Sequence, residues 1–174
     1  MVISGMQYIC ASAAVVSMAT IIPIPGFAEP FSSLSHLLGA GVFLTLAPFL
    51  FRRGLGCNLR TTSLAIFAFG TVFLRSMSGT YHLLDNGGAA RKVLRMLDHA
   101  AIFVLIACSF TPVHVILFRG WGRWGVLALI WGFAATAITL KMVYFDSMPP
   151  SLGLALYLGM GWVGLGSGIA LARR

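Results

Sequence analysis

Five long apolar stretches make up most of this chain, and they leave few folds open to it. They cover approximately residues 36–51, 61–84, 98–118, 124–144 and 151–172. A helix needs about 20 predominantly apolar residues to cross a bilayer. The 174 residues are 59% hydrophobic and 9% charged, whereas a soluble domain carries about 25% charged residues. The pattern therefore predicts an all-α polytopic transmembrane helix bundle of five spans, with lipid as the solvent for much of its surface.

The amino-terminal segment, residues 1–28, is a further apolar stretch with two open interpretations. Its first 25 residues form either a sixth span or a helix that lies in the membrane interface. No Lys or Arg precedes the apolar run, which argues against a secretory signal. No linker divides the chain, so the sequence predicts a single membrane domain over residues 1–174 with a five-helix core over residues 36–172.

The basic residues lie mainly between the apolar stretches. The chain has a net charge of +8, and pairs such as Arg52 and Arg53 or Arg91 and Lys92 flank predicted spans. This placement favours contacts with anionic lipid headgroups and argues against nucleic acid as a partner. In the fifth span, Gly161, Gly164 and Gly168 share one helix face. Small residues on one face let membrane helices approach closely, so this face predicts contact with another helix or with a second copy of the chain.

Polar side chains form one stripe on the second predicted span. Arg75, Ser78, His82 and Asp85 are spaced by three, four and three residues, so they share a helix face. Asp98 opens the third span after the connection 85–97, which predicts that it lies near His82. Imidazole and carboxylate are zinc ligands, and bound zinc activates water. The stripe therefore predicts a metal or hydrolytic site. His82 would bind zinc, Asp98 would bind it directly or through its water, and Ser78 would orient that water or the substrate.

A second interpretation of the same residues needs no ligand. Asp98 is also a suitable N-cap for the third helix, and His82 could extend its ring to the membrane interface. His114, two residues after Pro112, is suited to bond a carbonyl freed by a kink there. No sequence signature of a nucleophilic triad or a phosphate-binding loop occurs.

Several segments resemble the bacterial hemolysin III group. They are residues 35–39 (SHLLG), 78–82 (SGTYH), 97–112 (LDHAAIFVLIACSFTP) and 157–162 (YLGMGW), with Glu29 similar to the acidic residue ahead of the first span. That group belongs with the progestin and adiponectin receptors and, more distantly, with the alkaline ceramidases. The resemblance covers roughly residues 29–165 and implies a multi-pass protein of the bacterial inner membrane.

The resemblance also implies a zinc site and a chemistry. Family members have seven spans, and their zinc is held by a histidine on the second helix and two histidines in an HxxxH pattern on the seventh. By this likeness His82 is the first zinc ligand, Asp98 holds the zinc-bound water, and Ser78 is the auxiliary serine. The reaction attached to such sites is ceramidase-type hydrolysis of a lipid amide.

This sequence departs from that pattern because no histidine follows His114. The HxxxH pair is absent, and one histidine with an aspartate does not make a three-ligand zinc site. Three interpretations stay open: a truncated form, a site that has lost its metal, or ligands supplied by His99, His114 or a second subunit. The functional alternatives are accordingly a partial zinc-dependent lipid-amide hydrolase and a non-enzymatic membrane protein that binds lipid or partners, or perturbs membranes.

Overall fold

A computed structural model describes residues 28–84 and 88–173, and the described chain is almost entirely helical. No strand occurs in these two ranges, so the predicted all-α membrane bundle is confirmed. The predicted amino-terminal helix over residues 1–25 and the stripe residue Asp85 lie outside the described residues. The helices are α1 (Pro30–Gly54), α2 (Asn58–Leu83), α3 (Ala89–Leu117), α4 (Trp121–Val143) and α5 (Pro150–Ala172).

Each of these five helices is long enough to cross a bilayer. The shortest have 23 residues, which at about 1.5 Å per residue extend about 35 Å, more than the roughly 30 Å of a hydrocarbon core. Among the described residues, α1, α3, α4 and α5 are also apolar enough to span by composition. Helix α2 has the length but carries Arg60, Arg75 and His82. It corresponds to the predicted span 61–84.

Short turns hold neighbouring helices antiparallel. Pro30 and Pro150 occupy the first positions of α1 and α5, where a missing backbone N–H costs nothing and the fixed φ suits a helix. The turns before α2 and α4 contain Gly56 with φ 89° and Gly120 with φ 56°. Only glycine adopts these angles without strain, so both residues are required for the reversals.

The predicted boundary of the third helix is wrong. The sequence predicts a polar connection over residues 85–97 and a helix that opens at Asp98, but α3 begins at Ala89. Residues 89–97 are rich in Ala, Leu, Arg, Lys and Met, which are strong helix formers in any solvent. Hydropathy marks where a helix leaves the bilayer, not where it ends. Asp98 is therefore well inside α3, and its predicted role as an N-cap is also wrong.

Helix α3 is the centre of the bundle because it packs against α2, α4 and α5. Phe103 and Ala107 are fully buried, and they join Ile130 of α4 and Met160 of α5 in one apolar core. Helix α5 is the outermost element, with most of its surface open. The α1–α2–α3 side is held by a different and more polar set of contacts, which forms the candidate site.

The glycine face of α5 is only partly used within the chain. A Cβ added at Gly164 would lie 3.2 Å from Cζ of Phe110 in α3. Positions Gly161 and Gly168 have no described atom within 4 Å of an added Cβ. The contact with α3 accounts for Gly164, and homo-oligomerisation through the other two glycines stays a prediction.

Candidate functional site where α1, α2 and α3 meet

The carboxyl end of α2 is closed by residues from both neighbouring helices. A helix leaves its last carbonyl groups without intrahelical partners. The backbone N–H of Glu29 donates to the carbonyl of His82 at 3.0 Å, and that of Ala28 donates to Leu83 at 3.3 Å. The Arg91 guanidinium on α3 donates to the carbonyl of Leu84. Three separate segments are thereby fixed around His82.

The Glu29 carboxylate links the same three segments through its side chain. One oxygen, Oε2, is 2.8 Å from Nδ1 of His82, and the other, Oε1, accepts from Nη2 of Arg91 at 2.8 Å. The Arg91 guanidinium also lies over the ring of Tyr81, 4.7 Å from its centroid. A carboxylate only accepts hydrogen bonds, so Nδ1 of His82 carries the proton. In the neutral ring, Nε2 is then left as an acceptor or ligand.

A second histidine, His36 on α1, packs against His82. The two rings are stacked, with centroids 5.9 Å apart and planes 6° apart. His36 also interacts electrostatically with Arg75 and with Asp98, and Asp98 interacts with Tyr157 of α5. We call Glu29, His36, His82, Arg91 and Asp98 the polar cluster.

Two residues of the predicted stripe on α2, Arg75 and His82, contact α1. Arg75 lies over the ring of Phe43 on α1, with its guanidinium carbon 5.2 Å from the centroid, and against Gly39. Ser78 is buried one turn before His82. His82 and Asp98 have no direct hydrogen bond or ion pair in the described structure.

The two remaining histidines have other partners. His99 follows Asp98, and its Nδ1 donates to the carbonyl of Arg95 on its own helix at 2.7 Å. His114 is buried, with Nδ1 2.7 Å from the carbonyl of Gly122 and Nε2 3.0 Å from the hydroxyl of Ser167. The predicted bond to a carbonyl freed by Pro112 is wrong, because His114 reaches across to α4 and α5.

The residues that organise the cluster are the hardest to predict from spacing. Glu29 and Arg91 are 62 residues apart in the chain, and Glu29 is 53 residues from His82. Nothing in a local pattern connects such positions. The only signal in the sequence is the resemblance of Glu29 to an acidic residue ahead of the first span, and the position of Arg91 beside Lys92 points instead to headgroups.

The polar cluster alone does not suit zinc. Over residues 28–84 and 88–173, no group of three His, Cys, Asp or Glu side chains lies close enough to hold a metal ion. His82 offers one nitrogen, and Asp98 is a carboxylate with no direct bond to it in the described residues. The described residues by themselves therefore do not fit a catalytic zinc site, which needs three protein ligands.

Comparison with known proteins gives the family directly. The model of the "Haemolysin-III related" family matches residues 27–173, which covers all five helices. The chain belongs to this family. Its relatives include "Hemolysin-3" of Bacillus cereus, 30% identical over 139 residues, and "Hemolysin-3 homolog" of Bacillus subtilis (strain 168), 28% identical over 139 residues. The predicted hemolysin III resemblance and multi-pass membrane location are confirmed.

The hemolysin III relatives are longer than this chain. The matched region is 78% of this chain but 62% of the first relative and 63% of the second. No solved structure matches the chain. The comparisons therefore identify the membrane scaffold that carries the polar cluster, and the activity of the whole protein is a matter for proposal.

Glu29→Ala is expected to lower the free energy of unfolding by about 1 kcal/mol, because it removes an acceptor shared by His82 and Arg91. The effect is modest because the Glu29 side chain is 34% exposed, where water screens the charges. Asp146→Ala is the matched control. It removes the carboxylate of the exposed Lys92–Asp146 pair and should cost less than about 0.5 kcal/mol. Titration with SDS in mixed micelles measures both, and equal losses would contradict a central role for Glu29.

Proposed function

We propose that this hemolysin III family member is a lipid-binding membrane protein whose polar cluster receives a lipid headgroup rich in hydroxyl and amide donors. The observation that carries the proposal is the accessibility of the Asp98 carboxylate to a ligand. This carboxylate is half-buried, and within the described ranges no donor forms a hydrogen bond or ion pair with it. A carboxylate only accepts hydrogen bonds, so its open oxygens are available to the O–H and N–H groups of a ligand.

Two residues on α2 support the same class of ligand. Because Glu29 engages Nδ1 of His82, the Nε2 atom offers a second acceptor near the cluster. The buried hydroxyl of Ser78, one turn away, can donate as well as accept. A lipid that carries O–H and N–H groups, such as a ceramide, complements two acceptors and a hydroxyl. The bilayer supplies such molecules to a cluster formed between membrane helices.

A zinc-dependent hydrolase of lipid amides is the second candidate. The observation that favours it is the Glu29–His82 bond, since histidines that bind metal usually donate their other nitrogen to a carboxylate or carbonyl. In that function His82 is the metal ligand, with Asp98 and Ser78 beside the reacting group. The described residues do not complete a zinc site, so this candidate requires ligands from elsewhere.

Binding of a short-chain fluorescent ceramide to protein in phosphatidylcholine nanodiscs tests the first function. The unmodified protein should bind the probe, and Asp98→Asn or His82→Ala should weaken binding by about tenfold, the loss expected for a hydrogen bond to a charged or buried group. His99→Ala is the control, because His99 adjoins Asp98 but bonds its own helix. Equal affinity in all four proteins would exclude the cluster as the binding site.

The same samples separate the two functions. Zinc per chain is measured by elemental analysis, and the probe is checked by mass spectrometry for release of its fatty acid. Bound but intact ceramide, with no stoichiometric zinc, supports the binding protein. Near-stoichiometric zinc that disappears in His82→Ala, together with zinc-dependent cleavage of the amide, supports the hydrolase. Neither binding nor zinc would contradict both functions.

A further inference from the structure

A cavity of about 440 Å³ opens beside the polar cluster, between the first turns of α3 and the turn that joins α4 to α5. Its size lies within the range of small-molecule sites. Arg91 belongs to the polar cluster and also lines the cavity. Tyr81 of α2 contacts Arg91. The lining consists of Tyr81, Gly88, Arg91, Lys92, Arg95, Phe145 and Asp146.

The lining is strongly basic. It contains three cations and a single carboxylate, that of Asp146. Lys92 and Arg95 are three residues apart on α3 and are therefore neighbours on the helix surface. Lys92 reaches Asp146 at 2.7 Å in an exposed pair. Such a pair is weak and salt-sensitive, so another anion can replace Asp146 as the partner of Lys92.

Arg95 is exposed, and its guanidinium is accessible to an anion in the cavity. Its guanidinium lies over the ring of Phe145, 5.5 Å from the centroid, and in the described ranges none of its N–H groups has a hydrogen-bond acceptor. A guanidinium presents five donors in a planar fork that matches carboxylate or phosphate oxygens. The contact with the Phe145 ring leaves the N–H groups of Arg95 available to an anion.

A buried ammonium group adds positive charge near the same ring. Lys141 of α4 is 6% exposed, and its Nζ lies 5.6 Å from the centroid of Phe145. No carboxylate of the described chain pairs with it. Lys141 does not line the cavity, but its positive charge beside the lining residue Phe145 favours an anion there.

The cavity lies at the polar end of α3, where the sequence predicts that the helix leaves the bilayer. Residues 89–97 extend α3 beyond its long apolar segment, and Lys92 and Arg95 lie on this extension. Basic side chains and tyrosines such as Tyr81 are together typical of the membrane–water interface. Basic pockets at membrane helices bind the phosphates of anionic lipids.

We propose that this cavity binds a phosphate group, held by Lys92 and Arg95 and bordered by Phe145. The site is distinct from the proposed headgroup site at Asp98, because it selects an anion and not a donor-rich neutral group. The phosphate comes either from an anionic phospholipid in the bilayer or from a free phosphate in solution, and the two sources differ in their response to lipid composition.

Native mass spectrometry of delipidated protein tests this site. Phosphatidylglycerol should be retained and phosphatidylcholine should not, and Lys92→Gln with Arg95→Gln should reduce retention by about tenfold. The control is Arg52→Gln with Arg53→Gln, which removes the same charge from the end of α1. Because these arginines are themselves expected to contact anionic headgroups, the control should lower retention, but clearly less than the cavity variant does. Asp146→Asn should increase retention, because it frees Lys92.

The source is identified by competition. If inorganic phosphate displaces phosphatidylglycerol and binds protein in phosphatidylcholine nanodiscs, the site takes free phosphate. If it does neither while lipid retention depends on Lys92 and Arg95, the site takes the lipid. Equal retention by the cavity and control variants would overturn the proposal. So would a failure of Asp146→Asn to raise retention, since that variant keeps every basic residue of the cavity.

Discussion

His114→Ala is expected to lower the free energy of unfolding by about 3 kcal/mol. The ring is 1% exposed and lies between Phe110 and Phe118, with ring centroids 5.8 Å and 4.6 Å away. Alanine would leave a cavity there. It would also leave the carbonyl of Gly122 and the hydroxyl of Ser167 without the imidazole that now contacts them.

The size of this effect follows from the position of His114 between three helices. The ring belongs to α3, Gly122 to α4 and Ser167 to α5, and α5 otherwise packs sparsely on the bundle. We therefore expect the loss to appear mainly as detachment of α5. Accessibility of a cysteine introduced at an exposed α5 position, measured during an SDS titration, would detect that detachment before global unfolding.

Two variants separate the sources of the loss. His114→Phe keeps an aromatic ring and removes both hydrogen bonds, so it should cost less than His114→Ala but still about 1–2 kcal/mol. His99→Ala is the control, since His99 is half-buried and its hydrogen bond is to a carbonyl of its own helix. If His99→Ala and His114→Ala cost the same, His114 does not join the three helices as described.

The helices can be predicted from the sequence because lipid imposes a simple rule. A segment that crosses a bilayer must be long, apolar and internally hydrogen-bonded, and this rule identifies α4 and α5 to within a few residues. The same rule misplaces the start of α3 by nine residues, because residues 89–97 are helical without being apolar. Polarity and helicity are separate properties, and hydropathy reports only the first.

The candidate site is predictable in part. The spacing of Ser78 and His82 predicts that both share one face of α2, and the structure shows His82 in contact with α1. The contacts of this face come from residues distant in the chain, above all Glu29 and His36. Such pairs depend on how α1 crosses α2, which is set by side-chain packing rather than by any periodic pattern. The role of Asp98 beside His82 stays a prediction.

The crossing of α2 and α3 depends on a close approach at one glycine, and Gly70→Ala is expected to destabilise the protein by about 2 kcal/mol. A Cβ at position 70 would lie 2.6 Å from Cβ and 2.7 Å from Sγ of Cys108. Cβ is fixed by the backbone, so the two helices would have to move apart. Alanine stabilises a helix by about 1 kcal/mol relative to glycine. The expected loss is therefore the cost of the clash minus this gain.

A matched control and a compensating change make the Gly70 prediction specific. Gly161→Ala adds the same methyl group where no described atom lies within 4 Å, so it should be neutral or slightly stabilising. Cys108→Gly removes the side chain that a Cβ at position 70 would strike. The double variant Gly70→Ala/Cys108→Gly should therefore be at least about 1 kcal/mol more stable than the sum of the single changes predicts. Unfolding in SDS measures all four proteins, and additive losses would mean that α2 and α3 do not meet at these two residues.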